Sequence, residues 1–147
     1  MDFEFDDDHR MLQEQVREFA LREVAKGAEQ RDHEAAIPDQ LRAQLAELGL
    51  FGIIIPAEYG GAGMGTVASS IVVEEISKAC AGTGVLLSAH GSLCVDPILR
   101  FGTTEQKKKY LPGLASGETV GCLSLTEPGS GSDAGAATCT AILRDDG

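Results

Sequence analysis

Tryptophan is absent, tyrosine occurs twice and aromatic residues make up 5% of the 147-residue chain. Positive charge is scarce as well: 12 Lys and Arg stand against 23 Asp and Glu, a formal net charge of −11. Phosphate contacts would form against the field of the whole molecule, which argues against nucleic acid and anionic membranes as partners. No apolar run reaches the roughly 18 residues of a membrane span. The nearest, around Val85 to Val95, is broken by His90, Gly91 and serines and reads as a buried helix. Cys80, Cys94, Cys122 and Cys139 form no C-x-x-C pair and no His/Cys ligand spacing. They read as reduced thiols in packing roles, in a cytoplasmic-type compartment. The opening Met1 to Asp8 lacks the basic and apolar regions of a secretory signal, so export is not expected.

With 43% hydrophobic residues, the chain can bury about two-thirds of its unfolded surface without disulfide or metal staples. The acidic cluster Asp6 to Asp8 suits the positive end of a helix, followed by the stripe Leu12, Val16, Phe19, Ala20 and Val24. Pro38 fits the first turn of a second helix with Leu41, Leu45 and Leu48 facing inward and Gly49 as its stop. The apolar run Leu50 to Ile55 leads into a glycine-rich surface loop from Pro56 to Gly65, then a helix from about Thr66 to Ala81. At least one of Glu74 and Glu75 should be solvated there. Gly84 to Leu99 is apolar almost all round, a central helix bent or ended near Pro97. Thr103 and Gln106 spell a capping box, and Pro112 and Gly117 mark the end of that helix.

From Glu118 the pattern turns extended. Thr119 to Thr126 and Ala137 to Leu143 read as strands, and Asp145-Asp146-Gly147 as a turn calling for a return strand. The expected fold is mainly α, an orthogonal helical bundle over 1–117 followed over 118–147 by the first strands of a truncated β-barrel-like middle domain. An isolated strand pair is marginal, so the sheet is expected to be incomplete.

The densest polar constellation is Leu125-Thr126-Glu127-Pro128-Gly129-Ser130-Gly131-Ser132-Asp133-Ala134-Gly135. Glycines allow close backbone approach, small hydroxyls supply donors, and successive amides can form an anion nest. The formal G-x-G-x-x-A match must open a helix, yet strand-like sequence follows; neither a P-loop nor a G-x-S-x-G elbow is present. From the residues alone, a surface loop and a ligand site both remain open. His9, His33 and His90 have no patterned partner and read as surface or packing residues.

Leu123 to Gly135 closely resembles the flavin-binding signature of acyl-CoA dehydrogenases. Pro56 to Gly61, the Thr83-Gly84-Val85 helix start, Phe101 to Lys107, Tyr110-Leu111-Pro112 and Ala115 to Glu118 resemble the same family in its order. Thr83 to His90 is most similar to short-chain, butyryl-type members. The resemblance implies flavin adenine dinucleotide (FAD) as cofactor. Main-chain groups of Leu123 and Leu125 would lie near the flavin's pyrimidine edge and the Thr126 hydroxyl near N5. Gly131 and Ser132 would face the pyrophosphate, with Ser132 also touching the thioester substrate or its CoA. Glu127, Pro128 and Asp133 would shape the loop. The implied reaction is α,β-desaturation of a short-chain acyl-CoA, with electrons passed to electron-transferring flavoprotein. The implied setting is bacterial cytosol or mitochondrial matrix, and the implied parent is a homotetramer. The family's catalytic glutamate lies in a C-terminal bundle, so no residue here inherits that role, and a catalytically inactive N-terminal fragment is expected. The competing readings are a non-catalytic helical interaction module without flavin, and a relative with another acceptor, such as an acyl-CoA oxidase.

Overall fold

Residues 4–142 are described by the computed structural model. Helix α1, Asp7–Phe19, opens at Asp6, whose carboxylate accepts from the His9 amide, and continues through a π-helical turn, Ala20–Val24. Its predicted stripe points inward: Val16, Phe19, Ala20 and Val24 are buried and Leu12 partly so. Helix α2, Ala28–Glu34, lies outside the sequence expectations because it has no apolar period. It is held by the buried Arg31 guanidinium, which donates to the Val24 and Lys26 carbonyls at the end of α1.

Helix α3, Asp39–Glu47, starts one residue later than expected, with Pro38 as its cap. Leu41 and Leu45 are buried, but Leu48 is exposed, a correction to its inward placement. Leu48 follows the last full turn, where Gly49 at φ +69° takes the chain out of the helix and off the stripe. The run from Leu50 packs Phe51, Ile53 and Ile55 into the interior. The glycine-rich loop then folds back on it through amides of Ala62, Gly63 and Met64 to carbonyls of Gly52, Ile55 and Ile53, each at 2.9 Å.

Helix α4, Gly65–Ala79, is flanked by α1 and by α5, Ala81–Ser88. Its Ala68, Val72 and Ile76 complete the main core. The central helix is interrupted: α5 passes into a π-helical turn, Ala89–Val95, before α6, Asp96–Phe101. In that turn the Asp96 amide donates to Gly91, one residue farther back than in an α-helix. Pro97 has no amide to give back along the helix and crowds the preceding turn, a physical cause for the change of pitch there. Helix α7, Thr104–Ala115, carries both capping-box bonds between Thr103 and Gln106. Pro112 lies inside this helix, and termination falls to Gly117, which corrects the expected role of the proline. A second apolar cluster joins Ile55, Val95, Leu111, Leu114 and Ala115.

The predicted strands do not pair. Among the described residues there is no β-ladder, only a bridge between Glu127 and Ser130. Val120 to Thr126 lies outside any helix, and a strand exists only where a neighbour accepts and donates along its edge. Leu143 and the Asp145–Gly147 turn lie outside the described residues.

Glu75 and Glu74 divide as expected, but with a buried charge: the Glu75 side chain is 1% exposed, that of Glu74 62%. Arg17 of α1 donates to Glu75 at 2.9 and 3.1 Å, Gln13 at 3.0 Å and Lys78 at 3.0 Å. The Arg17 hydrogen bonds, against the opposing effect of burial and helped by Lys78, pull the Glu75 carboxyl down to about 2 from an ordinary 4.5. The unfolded chain therefore binds more protons between these values, and acid favours unfolding. Wild-type stability is expected to fall as pH drops from 4.5 towards about 2, and Glu75→Gln should lose that part of the acid limb in urea titrations at stepped pH. Arg17→Ala should lower the urea midpoint at neutral pH, because it leaves the buried Glu75 carboxylate without its guanidinium partner. An unchanged acid limb in Glu75→Gln contradicts this account.

Candidate functional site

The segment after α7 leaves the helical domain through two hydrogen bonds: Thr119 N–H to the Gly113 carbonyl at 3.0 Å and Gly121 N–H to His90 Nδ1 at 3.0 Å. Gly121 sits so close to Cys94 that a Cβ there would collide with its Sγ, and a side chain would also meet Leu114. Burial, with a smaller contribution from Cys122, pushes the Cys94 thiol up. All four cysteines are free thiols; Cys80 and Cys94 are half-buried, whereas Cys122 and Cys139 are exposed, which corrects the packing role expected of those two.

Beyond Gly121 the main chain of Cys122 to Thr126 makes no hydrogen bond among the described residues. Leu123 and Leu125 alternate with Ser124 and Thr126 and are 48% and 54% exposed despite their apolar side chains. Thr126 is exposed too. The following loop is rigidly built. Glu127 and Ser130 exchange main-chain bonds at 2.8 and 3.1 Å, and the buried Ser130 hydroxyl donates to the Asp133 carbonyl at 2.7 Å. The Glu127 carboxylate accepts from the Thr138 amide at 2.9 Å, the Cys139 amide at 3.0 Å and the Thr138 hydroxyl at 3.3 Å. These amides hold its carboxyl below the usual range. Gly131 and Ser132 lie exposed on this frame, their amides without a partner among the described residues.

The donor set fits a flavin. An apolar face from Leu123 and Leu125, an unpaired amide edge and a hydroxyl at Thr126 match a flat ring with a polar rim. The bare amides of Gly131 and Ser132 match a diphosphate. The five candidate residues are thus brought onto one continuous run, while Glu127 serves the loop. Sequence reasoning missed the connection of His90 to this run. The only signal for it was a polar side chain within an otherwise apolar helix.

The other histidines behave as expected. His9 Nδ1 pairs with Asp6 at 2.6 Å, and His33 is exposed. Among the described residues no cluster of His, Cys, Asp and Glu could hold a metal ion, and no helix is long and apolar enough to cross a membrane.

Residues 6–118 match the family model described as acyl-CoA dehydrogenase, N-terminal domain. The short-chain specific acyl-CoA dehydrogenase of Bos taurus mitochondria is 46% identical over 138 residues, covering 94% of this chain and 34% of the relative. A chain in the solved structure of the electron transferring flavoprotein of Acidaminococcus fermentans superposes with TM-score 0.92 at 44% identity, over 99% of this chain and 38% of that one. The acyl-CoA dehydrogenase of Bacillus anthracis complexed with FAD gives TM-score 0.82 at 40% identity, over 91% and 23%. The chain spans about a third of the length of the curated relatives it matches.

Glu127→Ala should release Thr138 and Cys139 and speed cleavage by a nonspecific protease within 127–139, while the melting temperature of the helical domain stays within a degree or two. Unchanged cleavage there would show that the carboxylate does not frame the loop.

Proposed function

Because the chain belongs to the acyl-CoA dehydrogenase family, we propose that it forms the N-terminal helical domain, 1–117, and the beginning of the middle domain, 118–147, of an enzyme that desaturates short-chain acyl-CoA. The observation that carries this reading is the run Leu123 to Ser132, which presents apolar side chains and unpaired amides from a fixed frame. When bound, FAD would supply a hydride acceptor. Main-chain groups of Leu123 and Leu125 would hold the pyrimidine edge of its ring, with the Thr126 hydroxyl near N5. Gly131 and Ser132 would hold the diphosphate, and Ser132 would also touch the acyl-CoA. Oriented donors of this kind act most strongly where water is excluded, which the exposed leucines assist once covered. No residue of this chain is assigned to remove the α-proton; that carboxylate is expected from another part of the enzyme. Electron-transferring flavoprotein is the proposed acceptor partner, and a homotetramer the proposed assembly. The similarity to a chain in an electron transferring flavoprotein structure supports the partner.

Protein purified from the natural gene should absorb as a flavoprotein and bleach anaerobically on addition of butyryl-CoA. Thr126→Val should weaken FAD binding by about 1 kcal/mol, roughly fivefold, the worth of one hydrogen bond. Colourless protein that neither binds FAD nor responds to butyryl-CoA contradicts the proposal.

A further inference from the structure

His90 lies in the π-helical turn Ala89–Val95 and is 1% exposed. Its Nδ1 accepts the Gly121 amide at 3.0 Å. Neutral imidazole can accept at Nδ1 only if the proton sits on Nε2, so this amide selects the tautomer. Nε2 is buried and makes no well-formed hydrogen bond. The Phe51 ring meets the imidazole edge-on, centroids 5.1 Å apart and planes at 78°, and fixes its tilt. Among the described residues the Gly121 bond is the last between the helical domain and the chain before Glu127. Leu123 follows two residues later, about 7 Å along an extended chain.

We propose that His90 is a positioning residue for the flavin-binding run: by fixing the Gly121 amide it sets where Leu123, Leu125 and Thr126 leave the helical domain. The inference rests on the flavin reading of that run. Two features make the fastening specific. Gly121 packs against Cys94 with no room for a side chain, so only main-chain groups can be held at this position, and the N–H is its donor. The ring that takes this amide stands in a helical segment of altered pitch, where an α-helical course would turn position 90 to another direction.

Protonation would place an N–H at Nδ1 against the Gly121 N–H and break the bond. Burial pushes the imidazole pKa below 6.5, partly opposed by the carbonyls of Phe51 and Leu114, and no charged side chain contributes. The titratable groups beside Gly121 are the thiols of Cys94 and Cys122, with Glu118, Lys109 and Tyr110 lining the same groove. The bond is therefore intact at neutral pH and lost as pH falls through the lowered value.

The test uses apoprotein prepared from the natural gene product and FAD itself as the probe, followed by flavin fluorescence quenching between pH 5 and pH 8. Wild type should bind FAD more weakly towards the acid end of this range, where pH approaches the lowered imidazole value. His90→Leu should weaken binding roughly two- to tenfold at pH 7.5, the range for one hydrogen bond, and remove most of the acid dependence. His90→Asn can accept the same amide through its side-chain oxygen without titrating, so it should keep much of the wild-type affinity at pH 7.5 and stay flat with pH. Should His90→Leu fail to fold, His90→Asn decides alone. Wild-type protein that binds FAD with the same affinity and pH dependence as both folded variants overturns the positioning role and leaves the flavin reading standing. Wild-type protein that binds no FAD at any pH overturns both.

Discussion

The enclosure of α4 between α1 and α5 is the constraint on which the rest of the domain depends. Ala68, Val72 and Ile76 on one side of α4 complete the core formed by the α1 stripe and by Leu41, Leu45 and Phe51. Near its C-terminal end α4 also carries Glu75, which could not stay charged there without Arg17 and Gln13 from α1 and Lys78 from its own next turn. Hydrophobic burial thus brings the two helices together, and the carboxylate network fixes their register. Such a network is weak evidence for net stability, since removing both charges often costs little, but removing one partner leaves a charge unanswered.

The second apolar cluster extends this body towards the candidate site. Leu111, Leu114 and Ala115 of α7 close on Ile55 and Val95, and the chain emerges between α7 and the π-helical turn. At that exit the fold changes character. Behind it, Ile55, Val95, Leu111 and Leu114 are buried. Ahead of it, two leucines and a row of main-chain amides face outward. A surface of this type is unstable towards any partner with matching edges, whether a ring with a polar rim or a neighbouring strand. The loop from Glu127 to Asp133 adds rigidity of its own through main-chain and carboxylate bonds. Both ends of the run are therefore anchored while its middle stays available.

Much of this was legible in the sequence because local chemistry decides it. The α1 stripe, the Asp6 start, the Thr103–Gln106 box and the stops at Gly49 and Gly117 depend on neighbours three or four residues away. Features set by distant contacts were not legible. Helix α2 has no apolar period and is held by Arg31 reaching the carbonyls of Val24 and Lys26, at and just beyond the end of the π-helical turn that follows α1. Leu48 matched the inward spacing of α3 but follows its last turn. The expected strand from Thr119 to Thr126 has the right residues and no partner among the described residues, because pairing is decided by what lies alongside. At the site, the residues proposed to face the flavin came from a thirteen-residue signature, whereas the His90 bond to Gly121 spans a sequence gap that no periodicity reports.

The proposed function reserves one surface of this chain, the main-chain edge from Leu123 to Thr126, for the flavin while the helical body stays unchanged. Hydrogen exchange of the natural gene product with and without FAD tests this most directly. The predicted result is slowed exchange at Leu123, Ser124, Leu125 and Thr126, with amides of α1 and α4 unaltered. Flavin binding that leaves those four amides exchanging as freely as before would contradict it.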